Sequence, residues 1–320
     1  MTPAIVRRQG RYYIETTAQA SRKRFLMPAG DTLKEARERL KELTSPARQR
    51  RWRLFDHYDT PVDEEAIWRQ AAPHRSGEVR AFAASKRLAV QTDQPEAFLA
   101  ADSGAANVLR RCGFAFDTLS TADVRRGALR GYDAAVFPGG FGYLPDRRTA
   151  DRIREFVANG GGLLGICAGA FLPLRDSCGV RGACLGMLDA TYVYFRERGL
   201  CLVAINPADP VARGIESSSR APVYALYTRP RAAAKHTTYV SLMRGNGPLV
   251  IPGPRARSIG WYDGSERYAA FVRGVYGKGR IVVFSAHPDA FMESARMASP
   301  ADAVQCIKLI KNAILYCGRV

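Results

Sequence analysis

Apolar and polar positions follow two different rhythms along this chain, and the change falls near residue 80. Before it, Arg11-Tyr-Tyr-Ile-Glu-Thr-Thr alternates as a strand does, and Lys23-Arg-Phe-Leu-Met can pair with it as a hairpin. The stretch from Asp31 to Leu43 turns to the helical period, with an Asp or Thr N-cap, interleaved charges, and Leu33, Ala36, Leu40 and Leu43 on one face. A basic cluster, Arg48-Gln-Arg-Arg-Trp-Arg, and a polar stretch follow. Residues 1–80 are therefore expected to form a small α+β appendage, a hairpin-plus-helix module with a linker.

From about residue 85 short apolar runs alternate with helical patterns. Arg87-Leu-Ala-Val-Gln-Thr, Phe114-Ala-Phe-Asp-Thr-Leu, Asp133-Ala-Ala-Val-Phe and Leu163-Leu-Gly-Ile read as buried strands. Between them, residues 105–112, 122–129 and 149–159 read as helices, the last stopped by Gly160-Gly-Gly. Strand–helix alternation of this kind implies right-handed βαβ crossovers and a mostly parallel sheet covered on both faces. Later runs, 258–262, 268–275 and 280–285, are strand-like, with Gly277-Lys-Gly as a turn between the last two. A closing helix over 301–316 places Val304, Ile307, Ile310, Ala313 and Ile314 at helical spacing. Residues 81–320 are expected to be one α/β domain.

Composition narrows the function classes. No run of about 18 apolar residues is present, which argues against a membrane partner, and Met1 to Glu15 lack an apolar stretch of signal-peptide length. The cytoplasm is the expected compartment. Seven cysteines without a C-x-x-C pair, beside four histidines, are poor material for a metal site. No cofactor motif stands out. The net charge of +18 admits two readings, a polyanionic partner such as nucleic acid or the arginine usage of a GC-rich genome. Residues 1–80 hold 17 Lys and Arg against 11 Asp and Glu, so nucleic-acid binding, if present, would fall to them, as in the arm-type modules they faintly resemble. A structural appendage is the plainer alternative.

The chemistry concentrates at Gly165-Ile-Cys167-Ala-Gly169, where an apolar strand runs straight into a cysteine flanked by glycines two residues away on either side. That pattern fits a nucleophile elbow, in which a helix N-terminus would favour the thiolate; a buried structural cysteine beside packing glycines is the alternative. Pro138-Gly139-Gly140 ends the preceding strand, and its bare backbone together with the N–H of Ala168 could form an oxyanion hole. Ser285-Ala-His287-Pro-Asp289 follows the apolar strand Ile281-Val-Val-Phe, so His287 could serve as base and Asp289 as its orienter in a Cys-His-acid relay. The other histidines, His57, His74 and His236, lack such surroundings.

Together with Ile153-Arg-Glu-Phe-Val-Ala-Asn-Gly-Gly-Gly, Arg244-Gly-Asn-Gly-Pro-Leu and Tyr276-Gly-Lys-Gly-Arg, these motifs resemble the class I glutamine amidotransferase superfamily. Within it they are most similar to the branch named after the N-terminal domain of eukaryotic biotin-protein ligases. The resemblance covers roughly residues 85–320. It implies a three-layer α/β/α sandwich of flavodoxin-like type, with Cys167, His287 and Asp289 on the triad positions. Three departures qualify it. Phe171 stands where glutamine-using members commonly carry Gln, Ala168 stands where the related proteases carry His, and the adenylate loop of a biotin ligase is absent.

Three functions remain open on this reading. The first is an amidase or amidotransferase acting on a small-molecule or peptide carboxamide, requiring a synthetase partner protein if ammonia is delivered. The second is a binding or regulatory module without turnover, tethered by the basic N-terminal segment. The third is a protein with the fold alone. Phe171, Tyr143, Arg244, Asn246 and Tyr262 are candidate pocket residues, each of which could equally be surface or packing.

Overall fold

The computed structural model describes residues 4–8, 11–17, 24–30, 33–34, 37, 62–71, 77–91, 104–139, 145–175, 184–193, 199–217, 238–245, 247–262, 265 and 267–318. The chain divides into two compact units, Met1–Thr60 and Pro61–Val320. In the first, β1 (Ala4–Arg8), β2 (Arg11–Thr17) and β3 (Arg24–Gly30) form an antiparallel sheet in that order. The expected hairpin is the β2–β3 pair, in which Ile14 lies opposite Met27. Within the expected helix over 31–43, Leu33, Lys34 and Arg37 are helical and exposed, and the remainder lies outside the described residues, as does the basic cluster 48–53.

The second unit begins with α1 (Glu64–Ala71) and α2 (Gly77–Ser85). It continues through β4 (Leu88–Gln91), α3 (Ala105–Cys112), β5 (Asp117–Leu119), α4 (Thr121–Arg126), β6 (Ala134–Phe137), α5 (Arg147–Ala158) and β7 (Gly162–Ile166). Then come β8 (Ala190–Val193), β9 (Gly199–Ile205), β10 (Thr238–Arg244), β11 (Leu249–Pro252), β12 (Arg257–Tyr262), β13 (Ala269–Tyr276) and β14 (Gly279–Phe284). Two helices, α6 (Phe291–Met297) and α7 (Pro300–Cys317), close the described chain.

All eleven strands β4–β14 join one sheet, ordered β10-β9-β12-β13-β14-β7-β6-β4-β5, with β11 pairing both β13 and β8. The core run β5-β4-β6-β7-β14 is parallel, and the flank beyond β14 is antiparallel. In β5-β4-β6-β7 the first strand of this sheet in chain order, β4, lies inside and the second, β5, at the edge, the order of a flavodoxin-like doubly wound sheet. The fold is α/β.

Alternation along the parallel strands builds a layer on each face. Leu88 and Val90, Ala134 and Val136, Leu164 and Ile166, and Val282 and Phe284 point into one core, shared with α1, α2, α3, α6 and α7. Their neighbours Ala89, Ala135, Phe137, Leu163, Ile281 and Val283 point into a second core beneath α4 and α5. Every residue of β4, β6 and β7 is buried, which is why these strands read as unbroken apolar runs. Ile307, Ile310 and Ile314 of α7 are fully enclosed, each contributing roughly 1.5–3 kcal/mol relative to exposure. The same helix ties the antiparallel flank to the core through buried polar groups. Asp302 Oδ1 accepts from Ser241 N at 2.7 Å, and Asn312 Nδ2 donates to the carbonyls of Val211 and Arg213.

The sequence places a division at 80/81, whereas the compact units part at 60/61. The reason lies in α1 and α2, which bury Ile67, Trp68, Ala71, Val79 and Phe82 in the first core. Trp68 meets Phe291 edge-on at 5.1 Å, so this helix completes the larger unit rather than linking to it. Among the described residues no helix is long and apolar enough to cross a membrane.

Candidate active site

β7 delivers Cys167 onto a left-handed turn. With φ at 49°, it is the one non-glycine residue with positive φ among the described residues, a conformation that costs an L-residue about 1–2 kcal/mol. The surroundings hold it there. Cys167 N donates to Phe284 O at 2.8 Å, tying the turn to the neighbouring strand. A Cβ at Gly169 would overlap the Phe137 carbonyl, and one at Gly165 would overlap the Gly169 carbonyl. Both glycines are thus demanded by backbone-to-backbone approach, which is elbow geometry.

The helix expected after the elbow is replaced by a 3-10 turn over Gly169–Phe171. Ala170, Phe171 and Leu172 donate to carbonyls three residues back, at 3.1, 3.3 and 3.3 Å. Pro173 is the physical reason, since it lacks the N–H that an α-helix would bond to Gly169 O.

The candidate base, His287, and its candidate orienter, Asp289, follow β14. This strand runs parallel beside β7, with Val283 opposite Gly165 and Phe284 opposite Ile166, so the two chains leave the sheet at the same edge. Three residues beyond β14, His287 Nδ1 lies 3.0 Å from Asp289 Oδ1, and the turn is closed by Ala290 N donating to His287 O. His287 and Asp289 are fully buried and Cys167 is 4% exposed. Burial alone would push the imidazole pKa down. The negative charges of Cys167 and Asp289 and hydrogen bonds to both outweigh it, holding His287 well above its ordinary value. The arrangement favours the imidazolium form of His287. Elsewhere in the core, burial pushes the Cys112 and Cys317 thiols up to about 12.

Three glycines press against this group. A Cβ on Gly139, at the end of β6, would lie 2.7 Å from His287 Cε1 and 3.5 Å from Cys167 Cβ. On Gly245 it would lie 2.8 Å from His287 Nε2 and 3.4 Å from Cys167 Sγ. On Gly247 it would overlap the Ser285 carbonyl. Behind Gly245 and Gly247 runs a buried hydrogen-bonded chain. Arg244, 1% exposed, donates from Nη2 to Gly247 O at 3.0 Å and from Nε to Tyr262 Oη at 3.2 Å. Tyr262 Oη meets Ser285 Oγ at 2.7 Å, and Ser285 Oγ donates to Pro248 O. Burial, opposed by the Arg244 charge, pushes the Tyr262 phenol up to about 12.

The structure thus brings Cys167, His287, Asp289, Gly139 and Arg244 together with Ala168, the residue after the nucleophile. Phe171 turns to packing, its ring edge-on to buried Tyr192 at 5.0 Å in the second core. Gly140, Tyr143 and Asn246 lie outside the described residues, as do His57, His74 and His236. Ser285, Gly245 and Gly247 lie within the Ser285-Ala-His287 and Arg244-Gly-Asn-Gly-Pro motifs, which in sequence carry no assigned role for these three; the signals are the Gly-x-Gly-Pro spacing and a hydroxyl two residues before His287. Among the described residues no cluster of three His, Cys, Asp or Glu could hold a metal ion.

No protein-family model and no curated protein matches the chain. Among solved structures it is similar to a glutamine amidotransferase from Thermotoga maritima, at 16% identity over 73% of this chain and 99% of that one, with a TM-score of 0.46. It is also similar to a cytoplasmic protein from Salmonella typhimurium, at 16% identity over 71% and 98%, with a TM-score of 0.43. A β-galactosidase from Rahnella sp. is similar at 17% identity, over 66% of this chain and 31% of that one, with a TM-score of 0.39. Identities of this size leave the residue roles to this chain's own geometry.

Proposed function

We propose that this protein is a cysteine-dependent amidase or amidotransferase-type enzyme. The observation that carries it is the strained Cys167 beside a buried His287–Asp289 pair on adjacent parallel strands. In the reaction, the Cys167 thiolate attacks the carbonyl carbon of a carboxamide. The oxyanion so formed accepts hydrogen bonds from Ala168 N–H and the backbone of Gly139 and Gly140. His287 gives its proton to the departing nitrogen, which leaves as ammonia or an amine, and an acyl-thioester remains on Cys167. His287, now neutral, takes a proton from water as the water attacks the thioester, releasing the acid and restoring the imidazolium–thiolate pair. Asp289 holds the ring by Nδ1 throughout.

Phe171 favours an amide other than glutamine. The Arg244-Gly-Asn-Gly-Pro-Leu segment favours the branch resembling the N-terminal domain of biotin-protein ligases. A second reading, a binding module without turnover, is favoured by one observation, the approach of Gly245 to both reacting atoms. One experiment separates the two. The protein is exposed to a panel of carboxamides and analysed by intact-mass and peptide mass spectrometry, with iodoacetamide labelling in parallel. An acyl adduct on Cys167 that is absent in Cys167→Ala, with labelling of Cys167 far faster than of Cys112 or Cys317, is the expected result. Slow labelling of Cys167 and no adduct from any amide would sink the enzymatic reading.

A further inference from the structure

The geometry points to Arg244 as a positioning residue of this site. It acts through Gly247 and through Tyr262, Ser285 and Pro248 to fix Gly245 against Cys167 Sγ and His287 Nε2, and so sets what can reach the thiol. The inference rests on the reading of Cys167 as the nucleophile. It concerns the antiparallel flank, which carries no proton and touches no reacting carbon in the scheme above.

Arg244 is the last residue of β10 and Tyr262 the last of β12, so the guanidinium sits where two flank strands end beside the site. Two of its N–H groups reach two different supports. Nη2 holds the carbonyl of Gly247 directly, at 3.0 Å. Nε holds the Tyr262 hydroxyl at 3.2 Å, which leaves the Tyr262 proton for Ser285 Oγ, and the Ser285 proton for Pro248 O. The relay ends on Pro248, the residue next to Gly247. Ser285 lies two residues before His287 on the same turn. The relay therefore couples the position of residues 247 and 248 to the turn that carries the base. Gly245 is what this coupling places: a methyl there would fall between the base and the nucleophile. A substrate carbonyl must occupy that same space, so the fixed Gly245 backbone limits entry by size. Hydrogen bonds from a buried cation are directional and strong, and a guanidinium can hold two acceptors at a fixed angle where an ammonium cannot.

The test is alkylation of Cys167 in the full chain with a small reagent, iodoacetamide, and a bulky one, N-cyclohexylmaleimide, each site quantified by peptide mass spectrometry. In Arg244→Met the bulky-to-small rate ratio at Cys167 is expected to rise about tenfold, the scale of one hydrogen bond's net contribution to holding the cover in place. Arg244→Lys, which keeps the charge without the rigid planar fork, should fall between. Tyr262→Phe, which keeps the Gly247 bond and cuts the relay, should shift the ratio the same way, and it serves if Arg244→Met does not fold. Cys112 and Cys317 should stay slow in every variant. An unchanged ratio in the folded variants overturns the inference while leaving the nucleophile intact. A parallel rise at Cys112 and Cys317 also overturns it, because Arg244 would then be holding the fold as a whole. Cys167 inert to both reagents in every variant, wild type included, overturns both this inference and the enzymatic reading.

Discussion

The parallel core and the antiparallel flank build opposite sides of one site by opposite means. The floor, Cys167, Gly139 and His287, follows directly from strand ends: β6, β7 and β14 are parallel neighbours, and their turns emerge together. The covering side, Gly245 and Gly247, is held by a side-chain relay that runs from β10 through β12 to the turn after β14. Backbone contact is unforgiving and side-chain relays can be loosened. The floor should therefore tolerate almost no change, while the cover should trade access against modest stability.

The largest effect that could break this contrast is on the floor. Gly169→Ala drives a methyl into the Phe137 backbone carbonyl. It should cost about 3 kcal/mol or more in urea unfolding, placing it in the severe tail of point substitutions. A near-neutral result would mean that the elbow is not held as described. Gly245→Ala meets the His287 ring edge at 2.8 Å rather than backbone, so a loss of about 1–2 kcal/mol is expected by the same measurement, with Cys167 alkylation falling further than stability does.

A third experiment sharpens the floor's electrostatics. With four histidines in the chain, the imidazole signals can be followed by NMR titration, and one should titrate well above the ordinary value. In Asp289→Asn that pKa should move down, because a charge and a hydrogen bond holding the imidazolium are lost. The sign for stability follows from linkage. A histidine whose pKa is raised on folding stabilises fully below its unfolded value and loses that contribution as pH rises through the folded one. The wild-type margin over Asp289→Asn should therefore narrow toward alkaline pH in thermal unfolding. The smallest effect lies remote from both sides of the site. Arg213→Ala removes a pair with Glu78 in which the two side chains are 57% and 46% exposed, and should change stability by less than about 0.5 kcal/mol.

The floor was legible in the sequence because each of its pieces is local. Leu88-Ala-Val, Ala134-Ala-Val-Phe and Leu163-Leu-Gly-Ile are buried on both faces, so burial leaves a mark on every residue. Cys167 and His287 then follow their strands within three residues. The cover was not legible because its register is set across long separations. Ile205 pairs with Thr238, β11 touches β13 through one residue pair, Val250 and Ala269, and β8 finds its partner far along the chain. Nothing within those segments names their partners. Arg244 stands among the pocket candidates with surface or packing as equal alternatives, and its burial at the end of a strand is set by partners that its own segment does not name. In α1 the run Glu-Glu-Ala-Ile-Trp-Arg-Gln-Ala looks polar, yet Ile67, Trp68 and Ala71 share one helical face and carry it into the core.

The torsion of Cys167 has one more consequence. The left-handed turn is imposed by the backbone around it, through Phe284, Gly165 and Gly169, and does not depend on sulfur. Glycine adopts such a φ without strain. Position 167 is therefore one at which the inert residue suits the fold better than the reactive one. Cys167→Gly is thus a substitution that the turn itself would accept without backbone strain.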